Sequence, residues 1–155
     1  MRNPPITAAD RFAIKDLFSI YHWALDTGDV DGFADTFVEG GGAVVVEVMS
    51  RTKRYEGRAG LIDLAESLRA WDRFPGCQHY AGQLLIEGGA AQCRVRSYCF
   101  VAECRGKPPY AIRFSGRSDD RLVCRDGHWL FEERIVRLWQ GEAVDLKSFG
   151  MPHVL

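Results

Sequence analysis

About halfway along the chain, the spacing of apolar side chains changes. Through residue 71, with one β-branched interruption, they recur every three or four positions; from residue 78 onward they alternate. The first spacing lines one face of a helix and the second lines one face of a strand. A chain that gathers its helices in the first half and its strands in the second is expected to fold as an α+β domain, in which a curved sheet wraps the helices.

The individual segments follow from local chemistry. In "TAADRFAIKDLFSIYHWALDTGD", Thr7 and Asp10 stand at capping-box spacing. Ile14, Leu17, Phe18, Tyr21 and Leu25 share a face, and Gly28 supplies the stop. Asp29 is placed to cap a second, shorter helix whose apolar positions are Val30, Phe33, Ala34 and Phe37. "GGGAVVVEVMS" reads as a glycine-led strand and "RTKRYEG" as a short strand or loop. Leu61, Leu64, Ala65, Leu68 and Trp71 restore the helical period until Pro75 and Gly76 end it. Strands are expected over 78–87, 91–103, 110–125 and 129–139, the last pair joined at Asp126-Gly127, the strongest hairpin signal present. The whole chain, 1–155, reads as one domain, with a core over about 8–140 and an apolar tail, 141–155, placed to cover a pocket or an interface.

Composition excludes several classes. Twenty Lys plus Arg against twenty-one Asp plus Glu give a net charge of −1, with no basic run to hold a nucleic-acid backbone. No stretch has the roughly 18 consecutive apolar residues of a membrane helix, so a soluble, cytoplasmic protein is expected. Cys77, Cys93, Cys99, Cys104 and Cys124 form no C-x-x-C pair and read as reduced, small apolar side chains; no metal is expected. Dinucleotide, phosphate-loop, nucleophile-elbow and zinc-protease motifs are absent from the sequence, and no cofactor is expected.

"YHWALDTGDVDGFADTF", "YEGRAGLIDL", "QHYAG" and "DDRLVCRDGHWLFEER", in this order, resemble the SnoaL-like branch of the nuclear transport factor 2-like (cystatin-like) superfamily. The resemblance implies a cone-shaped roll: a strongly curved, mostly antiparallel sheet around about three helices, enclosing a pocket. Scytalone dehydratase, hexachlorocyclohexane dehydrochlorinase and bile-acid 7α-dehydratase share an Asp near the end of the first helix and a His early in the strand after the third. Asp26 and His79 stand at those positions, and Tyr21 matches a tyrosine five residues before the Asp of the bile-acid enzyme. Leu25 stands where scytalone dehydratase has a tyrosine, and Tyr21 where the dehydrochlorinase has a lysine, so the substrates of those enzymes do not transfer. The relatives form trimers or dimers, which implies a homo-oligomer.

An imidazole has the pKa of a general base near neutrality, and a carboxylate on one ring nitrogen fixes the other as acceptor. The expected function is a cofactor-independent lyase of dehydratase type acting on a small cyclic or polyketide-like molecule. His79 takes the proton, Asp26 orients it, and Tyr21 assists the leaving oxygen. Isomerase or cyclase chemistry at the same base is an alternative, as is a non-catalytic module like the β-subunit of an aromatic-ring dioxygenase. Tyr21 and Asp26 lie about 140° apart on an ideal helix, so the helix is expected to tighten or unwind before Gly28.

Tyr98, Arg134, Trp71 and Trp139 are candidate substrate contacts; Arg134 is also placed to pair with Glu132 or Asp120. Arg94, Arg96, Tyr98 and Phe100 share one strand face, which lines either a polar pocket or a subunit interface. His22, His128 and His153 read as solvated.

Overall fold

The structure, a computed structural model, describes residues 4–48, 51–72 and 74–138. Helix α1 (Ala8–Thr27) opens with the capping box: the Asp10 amide donates to the Thr7 hydroxyl at 3.2 Å and the Thr7 amide to the Asp10 carboxylate at 2.8 Å. The same carboxylate accepts from the Trp129 indole at 3.1 Å, so the cap also ties the helix to the sheet. Gly28, at φ 74°, ends the helix in the left-handed conformation that glycine adopts without strain. Helix α2 (Val30–Ala34) is one short turn, capped by Asp29 accepting from the Gly32 amide at 2.9 Å. It stops before Phe37, which instead bridges to Phe131.

Strand β1 (Ala43–Val48) pairs antiparallel with β2 (Arg51–Glu56), so the "RTKRYE" segment is a strand and not a loop. Helix α3 (Gly57–Arg69) follows directly. Strands β3 (Cys77–Gly89), β4 (Gln92–Glu103), β5 (Ala111–Arg125) and β6 (His128–Leu138) form an antiparallel meander. The sheet order is β2-β1-β6-β5-β4-β3, and only β1 with β6 runs parallel. Three helices and a curved, unclosed six-stranded sheet thus make the expected mixed α+β architecture.

The sheet curves enough that α1 touches both β6 and the edge strand β3. A bulge between Gly82 and Leu85, with Gln83 at φ 50°, bends β3. At the far end of β3, Gly89 bridges to Pro5 and the Ala90 amide donates to the Pro4 carbonyl at 2.8 Å.

The core fills the concave side. Phe131 is fully buried, with ring centroids 5.1 Å from Phe18, 5.4 Å from Tyr21 and 5.4 Å from Phe37. The expected arginine face lies on the convex side, where Arg94 pairs with Asp119 and Arg96 with Glu87. Tyr80 and Phe100, paired across β3 and β4, stack at 4.7 Å. Phe131→Ala should destabilise the fold by about 3–5 kcal/mol, the cost of a large void among rings that cannot collapse into it, as measured by urea denaturation.

Candidate active site

The site forms where the last turn of α1 meets the start of β3. The Asp26 carboxylate accepts from the His79 backbone amide at 2.9 Å with one oxygen and contacts His79 Nδ1 at 2.6 Å with the other. With the carboxylate ionised and the ring neutral, the contact places the ring N–H on Nδ1 and makes Nε2 the acceptor. Both side chains are mostly covered, His79 being 24% and Asp26 17% exposed. Holding both the backbone and the ring leaves the imidazole little freedom to swing.

Of the tightening or unwinding expected before Gly28, the unwinding does not occur, and α1 stays α-helical through Thr27. Curvature takes its place. Tyr21 faces β6 from one side of the helix, against Phe131, while Asp26 meets β3, which has curled round to the other side.

Two hollows meet at this point. An interior cavity of about 440 Å³, mostly apolar, is lined by Tyr21, Asp26, His79, Trp71 and Arg134, among others. A groove of about 920 Å³ runs between α1 and β3. His22, Asp26, Cys77, His79 and Tyr80 border both.

Arg134 is a buried charge, 1% exposed, with its guanidinium carbon 4.2 Å from the Tyr21 ring centroid, 4.7 Å from Phe131 and 4.8 Å from Phe18. Of the two carboxylates considered from sequence it pairs with Asp120, its Nε donating at 3.0 Å. Asp120 also accepts from Ser118 at 2.7 Å, and Ser118 meets Ser97 at 2.8 Å. Burial pushes the Asp120 carboxyl up to about 6 against the opposing pull of Arg134. Arg134 Nη1 is buried without a hydrogen-bond partner among the described residues. Burial raises the Tyr21 hydroxyl pKa above its ordinary value, against the pull of Arg134.

The structure moves two residues from where their spacing in sequence put them. Tyr98 is not in the cavity: Cys93, Val95, Ser97 and Cys99 are the inward set of β4, so Tyr98 points out, 48% exposed. His22 is not solvated. It lies one turn before Asp26 against Phe18 and Tyr21, and burial, Arg134 and His79 drive its pKa down to about 2. Trp71, a candidate substrate contact, borders the cavity and is 48% exposed. His128 is exposed, while Trp139, His153 and the tail lie outside the described residues. Among the described residues no cluster of His, Cys, Asp or Glu could hold a metal ion, and no helix is long and apolar enough to cross a membrane.

The chain belongs to the SnoaL-like domain family, whose model matches residues 7–135. A search of curated proteins finds no match. Among solved structures it is similar to an NTF2-like protein with a cystatin-like fold from Novosphingobium aromaticivorans, 22% identical over 87% of this chain and 85% of the other, with a TM-score of 0.73. A second protein from that organism, named provisionally as a scytalone dehydratase, is 23% identical over 85% of each chain, with a TM-score of 0.69. A protein from Catenulispora acidiphila in complex with S-DNPA is 22% identical over 94% of this chain and 100% of the other, with a TM-score of 0.71. At these identities the likeness is one of fold.

Two outcomes test the electrostatics. Unfolded, His22 would take up a proton below about pH 6.5; folded, facing Arg134 and His79 with Asp26 one turn away, it does so only near pH 2. Between these values the unfolded chain holds more protons, so stability should fall as the pH drops below about 6.5, by about 1.4 kcal/mol per pH unit at most. Replacing His22 with Leu should flatten that slope in urea titrations run from about pH 7 down to about pH 5. Asp120→Ala should cost about 3–5 kcal/mol by stranding the buried guanidinium, whereas Asp120→Leu combined with Arg134→Met should recover much of the loss.

Proposed function

We propose that the chain is a cofactor-independent lyase of dehydratase type, acting on a small cyclic or polyketide-like β-hydroxy ketone in the interior cavity. One observation supports this above the rest: the Asp26 carboxylate and the His79 ring touch at the wall of an apolar hollow large enough for such a molecule. His79 Nε2 takes the proton beside the ketone, and Asp26 stabilises the imidazolium that forms. Arg134, whose side chain borders the cavity, supplies positive charge near the carbonyl oxygen as negative charge develops there.

As the enolate electrons return to form the carbon–carbon double bond, the β carbon–oxygen bond breaks and Tyr21 delivers a proton to the departing oxygen. Water leaves, and the proton on His79 is available to restore the tyrosine, so the protein ends as it began. Burial suits Tyr21 to this task, because a hydroxyl with a raised pKa stays protonated until the leaving group needs it. The family and its structural neighbours, one named for a dehydratase and one holding a small molecule, are consistent with small-molecule chemistry at this site.

Two assays separate the steps. Exchange of the α-protons of α-tetralone in heavy water, followed by NMR, reports the base alone. Loss of water from the β-hydroxy derivative of the same ketone, followed by naphthol absorbance, reports the full reaction. His79→Ala and Asp26→Asn should each slow both by about 10² to 10⁴-fold; Tyr21→Phe should spare exchange and slow only the loss of water. Exchange as fast in His79→Ala as in the wild type would overturn the assignment.

A further inference from the structure

The proposed chemistry fills the interior cavity and leaves the groove between α1 and β3 without a task. The two walls of that groove run in opposite directions. The end of α1 meets the start of β3 at the Asp26–His79 contact, and Gly89, at the far end of β3, bridges to Pro5 just before α1 begins. From the helix the groove is lined by Arg11, Lys15, Phe18, His22 and Asp26, which follow one face at three- and four-residue steps. Arg11 to Asp26 covers about 22 Å of helix at about 1.5 Å per residue, and His79 to Ile86 covers about 23 Å of strand at about 3.3 Å per residue. Walls of equal length make a channel that leads away from the dyad.

Its chemistry changes along its length. Phe18, Trp23, Ala81, Leu84 and Ile86 give it apolar surface, and the end remote from the dyad carries Arg11 and Lys15, one turn apart and exposed. Among the described residues neither cation pairs with a carboxylate, whereas on the sheet Arg94 pairs with Asp119, Arg96 with Glu87, Arg113 with Glu103 and Arg137 with Glu47. The carboxylate that lines the groove, Asp26, is already held by His79. Like charges four residues apart weaken a helix, and nothing within the groove offsets these two. A bound anion would.

We infer that the groove is a subsite for the arm of an extended substrate: a ring compound carried on a long, unbranched chain that ends in an anion, carboxylate or phosphate. The ring enters the interior cavity, the chain lies along the apolar walls, and the anion pairs with Arg11 and Lys15. From Asp26 to Lys15 the chain has about 16 Å to cover, so a short acid bound at the same place cannot reach the cations. This rests on the interior cavity being the ring site of the proposed function, but not on His79 acting as a base.

The probes are naphthyloxydodecanoic acid, its neutral amide, naphthyloxydodecyl phosphate, and the short pair naphthyloxyacetic acid and its amide, with β-naphthol reporting the ring site alone. By calorimetry at low salt, wild-type protein should bind the long acid or the long phosphate at least about fivefold more tightly than the long amide, and should not distinguish the short acid from its amide. Whichever long anion binds more tightly identifies the natural end group. Arg11→Gln combined with Lys15→Gln should bring the long-chain ratio close to one and leave β-naphthol affinity unchanged. Lys107→Gln combined with Arg125→Gln, which removes the same charge from other exposed positions, should leave the ratio intact. In the folded wild type, the side-chain NMR signals of Arg11 and Lys15 should shift with the long acid and not with its amide, a measurement independent of any variant. Equal affinities for the long anions and the amide, no binding of any probe, the same preference in the short pair, or a preference kept when Arg11 and Lys15 are replaced would each overturn the inference. So would a preference lost in the control pair. Loss of α-proton exchange with the preference intact would instead count against the lyase reading alone.

Discussion

A full positive charge buried among aromatic rings is the condition to which the rest of the cavity answers. Leaving a guanidinium in such a place unpaired would cost several kcal/mol, and Asp120, held by Ser118, offsets that cost from the neighbouring strand. The faces of Phe18, Tyr21 and Phe131 add attraction of the cation–π kind. The same charge then acts on everything near it: it opposes protonation of His22 and draws the Tyr21 pKa down against burial. A hydrophobic residue in its place would fill the space but would leave the cavity without its positive charge.

The second constraint is geometric. A dyad needs two side chains from different elements at hydrogen-bond distance, and here one comes from a helix end and the other from the edge strand of a sheet. The glycine stop at Gly28 fixes where the helix ends, and the bend in β3 brings the edge strand to it. Catalysis of the proposed kind would use this rigidity, since an imidazole held at both ring and backbone needs no reorganisation before it accepts a proton.

Much of the architecture could be read from residue spacing. The capping box at Thr7 and Asp10, the glycine stop, the meander and the Asp126-Gly127 hairpin all follow from local rules and lie where those rules put them. Asp120 as the partner of Arg134 was one of two carboxylates within reach in sequence, and register decides it, because Arg134 stands directly opposite Asp120 across the β5–β6 ladder. Less could be read where three-dimensional curvature intervenes. The angle between Tyr21 and Asp26 looks prohibitive on a straight helix beside a flat sheet and is harmless beside a curled one. Tyr98 was misplaced because both faces of β4 carry polar groups, although Val95 between Cys93 and Cys99 marks the inward set. His22 did carry a signal: it continues the stripe of Ile14 and Phe18 at four-residue intervals, which argues against solvent.

The bend in β3 has a consequence beyond the site. An outermost strand with free amides and carbonyls is a template on which another chain can add, the first step toward fibrous aggregation. A left-handed residue at Gln83 breaks the regular row of such groups in mid-strand, and Pro5, which has no amide to donate, sits against its far end. The irregularity that turns the histidine segment toward the helix therefore also blunts the border on which uncontrolled assembly would otherwise begin.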